Sequence, residues 1–62
     1  MKTGLILYIN NDLCELYIVE ENRRAFAFIP DGLQNKISTG ERYVVYPHHQ
    51  MMQFSRKEVS LC

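Results

Sequence analysis

Four aromatic side chains recur at short intervals in the first half of the chain, and they carry its clearest potential for ligand chemistry. They are Tyr8, Tyr17, Phe26 and Phe28. Rings exposed on a small sheet can stack on the bases of a single-stranded nucleic acid, whereas the same rings turned inward form part of a core. The direction of these side chains therefore decides how the chain is interpreted.

Arginines supply a second kind of chemistry. Arg23 and Arg24 lie just before the two phenylalanines, and Arg56 lies near the C-terminus. A guanidinium group binds phosphate through two parallel hydrogen bonds and stacks on flat bases. Glutamates lie close by in sequence, so ordinary solvated surface charge is the alternative interpretation.

Histidine and cysteine do not form a catalytic or metal-binding pattern. His48 and His49 are adjacent and diverge in a turn or strand, whereas a metal site needs three or four converging ligands. Cys14 lies within an apolar run and is interpreted as a small buried residue. A chain of 62 residues also holds one thin core and no deep pocket. We expect no metal, no cofactor and no enzymatic activity.

Composition limits the partners. The chain is 47% hydrophobic, as expected for a single folded domain over residues 1–62, and its seven basic and seven acidic residues cancel. Neutrality argues against strong electrostatic binding of nucleic acid but leaves weak, stacking-driven binding open. The apolar runs are too short for a signal peptide or a membrane span, so we expect a soluble, cytoplasmic protein without a membrane partner.

Short apolar runs separated by Asn, Asp, Pro and Gly predict an all-β fold of five strands. After the third run, Leu33 and Ile37 are four residues apart, which favours one or two turns of helix between Leu33 and Gly40. Five strands with a small insert after the third predict an antiparallel barrel of the OB-like kind. The predicted strands cover residues 3–10, 13–20, 24–29, 41–47 and 53–61.

Alternation along the strands suggests which side chains face out. Glu15 shares a face with Tyr17, and an unpaired carboxylate is costly to bury, so this face is expected to be exposed. In the third strand, Phe26 and Phe28 then point outward while the alanines between them line the core. The reverse arrangement, with both phenylalanines buried, remains open because large rings gain more from burial. We expect Tyr17 and at least one of the two phenylalanines to be exposed, with the four aromatic rings near one another.

The order of these motifs resembles the cold-shock domain, a nucleic-acid-binding form of the OB fold. The segment 4–10, Gly-Leu-Ile-Leu-Tyr-Ile-Asn, resembles the family's first strand, Gly-Lys-Val-Lys-Trp-Phe-Asn, with Tyr8 at the stacking Trp. Residues 13–18 and 25–29 fall on the two RNA-binding motifs, Lys-Gly-Phe-Gly-Phe-Ile and Val-Phe-Val-His-Phe. The chain departs from the family in lacking the first-strand lysines and both motif glycines, and in having Glu15 at an aromatic position.

The resemblance implies a small module that binds single-stranded RNA or DNA. Tyr8, Tyr17, Phe26 and Phe28 would stack on bases, and Arg23, Arg24 and Arg56 would contact the backbone. The alternative is a protein-interaction domain, binding a protein partner or a second copy of itself through the same face. Lost lysines and gained leucines suit that alternative, because exposed apolar patches mark interfaces. Its residues would be Leu5, Leu7, Tyr8, Tyr17 and Phe28.

Overall fold

Five strands close into a barrel in the computed structural model, which describes residues 1–55. The predicted all-β class and five-stranded barrel are confirmed. Around the barrel the strands follow the order β1–β2–β3–β5–β4, and β4 returns to β1. The strands are β1 (Lys2–Asn10), β2 (Leu13–Ile18), β3 (Arg23–Phe28), β4 (Arg42–His48) and β5 (Met51–Phe54).

The prediction that the barrel is wholly antiparallel is wrong at one seam. β3 and β5 run parallel and pair through Ala27 and Met52, whereas the other four seams are antiparallel. Five strands cannot alternate in direction all the way around a closed ring, so one neighbouring pair must run the same way. The closure of an odd number of strands therefore requires this parallel seam.

The second strand is shorter than predicted, because β2 ends at Ile18 and Val19–Glu21 form a 3₁₀ turn, and the last two strands also differ from the prediction. β4 continues through Pro47 to His48, because Pro47 pairs with β5 where β1 no longer flanks β4. β5 occupies Met51–Phe54, so the predicted strand over 53–61 begins two residues too late. Residues 56–61 of that prediction lie outside the described part of the chain.

The insert after β3 is not the predicted helix. A single 3₁₀ turn covers Asp31–Leu33, and the backbone then continues through turns to Gly40, whose φ of +91° suits a residue without a side chain. Ile37 is nevertheless buried and Leu33 packs against the core, as their spacing suggests. Two hydrogen bonds join the end of the insert to Ile6 of β1, which closes the barrel at this point.

The interior is narrow, and small residues are required inside it. A Cβ placed on Gly4 would lie 3.3 Å from a Leu16 methyl and 3.4 Å from Val45, so a larger residue there would crowd the barrel. Ala27 is fully buried opposite Cys14. The core consists of Ile6, Cys14, Leu16, Ile18, Ala25, Ala27, Ile29, Ile37, Tyr43, Val45, Met52 and Phe54.

A β-bulge at Leu7 changes the direction of the side chains that follow it. Ile6 pairs with Leu16, but Tyr8 rather than Leu7 pairs with Glu15, so one extra residue sits in β1. Strict alternation from buried Gly4 and Ile6 would point Tyr8 into the barrel. The bulge turns it outward, and Tyr8 is 61% exposed.

Candidate nucleic-acid interface

β3 turns its phenylalanines outward and its alanines inward. Phe26 and Phe28 are 51% and 60% exposed, whereas Ala25 and Ala27 belong to the core. Rings of this size would not fit the narrow interior opposite Cys14 and Leu16, which are the partners of the two alanines. Two aromatic side chains therefore lie two residues apart on the solvent side of the sheet.

The register of β1, β2 and β3 places these rings in a nine-residue surface, which we call the outer face. It consists of three rows, each crossing the three strands. Each row has one residue from β1, one from β2 and one from β3, and the middle row ends in Phe26. The rows are Leu5–Tyr17–Arg24, Tyr8–Glu15–Phe26 and Asn10–Leu13–Phe28.

The four rings do not form the cluster that the sequence suggests. Glu15 separates Tyr8 from Phe26, and two strand spacings put these residues about 10 Å apart. Tyr17 pairs with Leu5 on one side and Arg24 on the other, not with another ring. Within residues 1–55, no ring contact joins any two of the four. Any ligand would meet them as separate aromatic contacts.

Tyr17 is less available than expected. Its side chain is only partly exposed, and its hydroxyl donates a hydrogen bond to the side-chain oxygen of Asn22. Asn22 adopts a left-handed conformation, φ 52°, at the end of the 3₁₀ turn Val19–Glu21. The expectation that Tyr17 is substantially exposed is therefore wrong, because its side chain is only partly exposed. The expected exposure of at least one of Phe26 and Phe28 is confirmed.

The candidate arginines are already engaged with carboxylates. Arg23 forms an ion pair and a hydrogen bond with Glu21, which also lies 3.3 Å from the Lys2 ammonium. An Arg24 guanidinium nitrogen lies 3.6 Å from a Glu15 carboxylate oxygen on the outer face. Arg24 thus partly offsets the negative charge that would repel a phosphate there. Arg56 lies outside the described residues.

The turn between β2 and β3 is held onto β1 by carboxylates. Glu20 accepts hydrogen bonds of 2.7 Å from both the backbone N–H and the hydroxyl of Thr3. These bonds favour the ionised carboxylate and lower the pKa of Glu20, while the bond from Arg23 lowers the pKa of Glu21. The charged groups at this end therefore serve to anchor the turn.

A groove of about 520 Å³ begins beside Phe28 and runs toward the β4–β5 turn. Sequence analysis expected its two histidines to diverge and did not place them together with Phe28; the His48 and His49 rings instead contact each other, with centroids 4.3 Å apart. The parallel β3–β5 seam, which brings the end of β3 beside β5, creates this arrangement. The groove is lined by Phe28, Pro30, His48, His49, Met51, Met52, Gln53, Phe54 and Ser55.

The interior contains an aromatic pair that sequence analysis did not assign. Tyr43 and Phe54 contact edge to face, with ring centroids 5.5 Å apart. The Tyr43 hydroxyl donates a 2.8 Å hydrogen bond to Glu41, and burial together with this carboxylate raises the pKa of Tyr43 to about 12. The alternation of Tyr43 with Val45 could have indicated an inward face, but the pairing of Tyr43 with Phe54 depends on the β4–β5 register.

Cys14 is buried, which confirms its interpretation as a core residue, and this burial raises the pKa of its thiol to about 11. Residues 1–55 contain no group of three His, Cys, Asp or Glu side chains that could hold a metal. None of their helical segments has the length and apolar character needed to cross a membrane.

The outer face and its adjoining groove together form a candidate ligand surface. Comparison of the chain with protein-family models, curated proteins and solved structures gives no match, and the resemblance to cold-shock domains stays an expectation from the sequence.

Proposed function

We propose that the chain is a small cytoplasmic module of the OB-like, cold-shock kind that binds single-stranded RNA or DNA through its outer face. The observation that carries the proposal is the outward direction of Phe26 and Phe28 on β3, with alanines in the core between and before them. Burying both rings would have removed the stacking surface. Their exposure leaves an apolar area that base stacking would cover.

The architecture supports this assignment. OB folds bind oligonucleotides on the surface of strands 2 and 3 and with the loops between strands 1 and 2 and strands 4 and 5. The outer face occupies the first of these positions, and the groove beside Phe28 extends to the β4–β5 turn. The exposed rings and the groove therefore support a ligand site of this kind.

The contacts suggest how a single strand would bind. Tyr8, Phe26 and Phe28 each offer one ring to one base, because no two of them touch. Arg24 is the cation on the outer face, and its contact with Glu15 weakens its pull on a phosphate. Stacking would therefore supply most of the affinity, and the affinity would fall only slowly with salt.

The test is a titration of labelled single-stranded RNA and DNA at low salt against the wild-type protein and Phe26→Ala. The substitution should weaken binding by about 1–3 kcal/mol, the value of one base–aromatic stack. Val19→Ala is the matched control, because Val19 is also exposed but lies in the β2–β3 turn. The absence of binding at about 100 μM protein, where non-specific binders respond, would refute the proposal.

A protein-interaction domain is the second candidate, and the pairing of nearby basic residues with carboxylates favours it. Lys2, Arg23 and Arg24 are all in contact with carboxylates, whereas Leu7, at the bulge beside the outer face, is exposed together with the rings. Such a face would bind a protein or a second copy of the chain and hold at high salt, because apolar contacts are not screened. Light scattering over a range of protein concentrations, beside the oligonucleotide titration, separates the two functions.

A further inference from the structure

A pocket of about 560 Å³ lies between the β1–β2 turn, the end of β3 and the insert, and we call it the insert pocket. Its volume is in the range of natural ligand sites. Ile9, Ile29 and Ile37 supply an aliphatic wall, and the last two are buried. The polar groups are one carboxylate and three side-chain amides, which belong to Asp12, Asn11, Gln34 and Asn35.

The insert pocket adjoins the end of the outer face. The row Asn10–Leu13–Phe28 of that face borders the β1–β2 turn, which contains Asp12. The backbone N–H of Ile29, the residue after Phe28, donates a 2.7 Å hydrogen bond to the backbone carbonyl of Asp12. This bond joins the turn to the wall of the pocket. A single strand with one base stacked on Phe28 can therefore place a neighbouring base in the insert pocket.

The backbone accounts for three of the four polar residues of the insert pocket. Asn11 and Asn35 have φ of 59° and 71°, a left-handed conformation in which asparagine is enriched. The Gln34 amide donates a 3.3 Å hydrogen bond to the backbone carbonyl of Ile29. Asp12 has no left-handed φ, and the bond that it accepts from Ile29 uses its backbone rather than its carboxylate. The carboxylate of Asp12 is therefore the group whose chemistry selects a ligand.

We infer that the insert pocket receives one guanine base of the bound single strand, and that the Asp12 carboxylate accepts hydrogen bonds from its N1–H and 2-amino groups. This inference rests on the proposed function and adds a base preference to it. The base would lie against the isoleucines, and the amides of Asn11 and Asn35 would donate to its O6. Proteins that recognise single strands by sequence bind the Watson–Crick edges of unstacked bases in this way.

A carboxylate distinguishes guanine from the other bases. It only accepts hydrogen bonds, and its two oxygens can accept two at once. Guanine presents two adjacent donors on its Watson–Crick edge. Thymine and uracil present one N–H between two carbonyl oxygens, which a carboxylate repels, while adenine and cytosine each present one donor beside an acceptor. Because Asp12 is exposed, the preference should be about five- to tenfold, the lower end of the range for a two-bond base contact.

The experiment titrates labelled thymidine oligomers of one length at low salt, either unsubstituted or with a single guanine at each position in turn. Inosine at the best position lacks the 2-amino group but keeps N1–H. The variant Asp12→Asn removes the charge and keeps the size of the side chain. Asp31→Asn is the matched control, because Asp31 is an exposed carboxylate of the insert that does not line the pocket. Thermal unfolding verifies that both variants are folded.

The expected result is tighter binding of the best guanine oligomer than of oligothymidine by the wild type and by Asp31→Asn, with inosine intermediate. Asp12→Asn should bind both oligomers equally. Equal affinities in the wild type, or a guanine preference that persists in Asp12→Asn, would overturn the inference and leave the proposed function intact. Guanosine monophosphate that binds as tightly as the guanine oligomer would overturn the strand as the source of the base. No binding of any oligomer would refute the proposed function and, with it, this preference.

Discussion

Two pairs of aromatic residues have opposite positions in this barrel. Tyr43 and Phe54 pack edge to face inside it, whereas Phe26 and Phe28 are exposed on its surface. The interior is narrow where β2 and β3 pair, so β3 contributes alanines there. On the β4–β5 side, the Tyr43 and Phe54 rings fill the interior. The position of an aromatic residue in this barrel therefore does not follow from its hydrophobicity alone.

The largest expected effect compares the two phenylalanine positions directly. Phe54→Ala should destabilise the fold by about 3–5 kcal/mol, because it leaves a cavity beside Tyr43. Phe26→Ala should change stability by less than about 0.5 kcal/mol, as surface substitutions usually do. Urea denaturation of both variants measures the difference. Equal losses of stability would mean that Phe26 is a core residue and that the contrast is false.

A larger side chain on the β2–β3 side of the interior tests whether lack of space there keeps the phenylalanines of β3 on the surface. Ala27→Leu should cost about 1–3 kcal/mol, because the fully buried Ala27 faces Cys14 across a strand pair with no spare volume. The outward neighbour provides the control, and Phe28→Leu should be nearly neutral for stability. The denaturant midpoints of the two variants, compared with that of the wild type, measure these changes in stability. A neutral Ala27→Leu would show that space does not limit β3.

The hydroxyl of the inner pair has a smaller effect that depends on pH. Tyr43→Phe removes the hydrogen bond to Glu41 and should cost about 1 kcal/mol near neutral pH. Because the folded state raises the pKa of Tyr43 to about 12, the unfolded chain loses the proton first, and wild-type stability should fall above about pH 10. Denaturation at rising pH should show a shallower fall in Tyr43→Phe. An identical fall would place the hydroxyl in solvent.

The smallest expected effect concerns the exposed carboxylates. Glu20 has a lowered pKa in the folded state, so it stabilises the fold above its ordinary pKa and loses this contribution as pH falls below that range. Glu20→Gln should therefore show a slightly smaller loss of stability between neutral pH and about pH 3 than the wild type. Asp31→Asn is the control carboxylate substitution, in the 3₁₀ turn of the insert. A steeper acid loss in Glu20→Gln would contradict the role of the Thr3 contacts.

Much of the fold is local in origin, which is why the sequence predicts it. The turn residues separate five apolar runs, and the polarity of Glu15 indicates the exposed side of β2 and, through it, of β3. Long-range features do not follow from local sequence in this way. The pairing of Tyr43 with Phe54, the parallel seam and the groove depend on which strands become neighbours on closure, which no single segment specifies. A single 3₁₀ turn at Asp31–Leu33 stands in the insert where the spacing of the apolar residues predicts a helix, and two backbone hydrogen bonds tie the end of the insert to β1.

The candidate site was predictable where alternation is regular and not where it is interrupted. Phe26 and Phe28 follow from strict alternation with the alanines. Tyr8 is outward only because of the bulge at Leu7, and the pattern of β1 alone would bury it with Gly4 and Ile6. The contact of Arg24 also required the structure, because Glu15 reaches Arg24 across the sheet, whereas the contact of Arg23 with Glu21 is local in the sequence.

Within residues 1–55, the parallel seam between β3 and β5 is the most sparsely paired seam of the barrel, with the single residue pair Ala27–Met52. Amides protected by few ladder bonds open locally at a lower free energy than the global unfolding reaction. Hydrogen exchange should therefore be faster along β5 than in the extensively paired β1 and β2. Because the groove beside Phe28 lies along this join, a brief separation of the two strands would widen the groove without global unfolding.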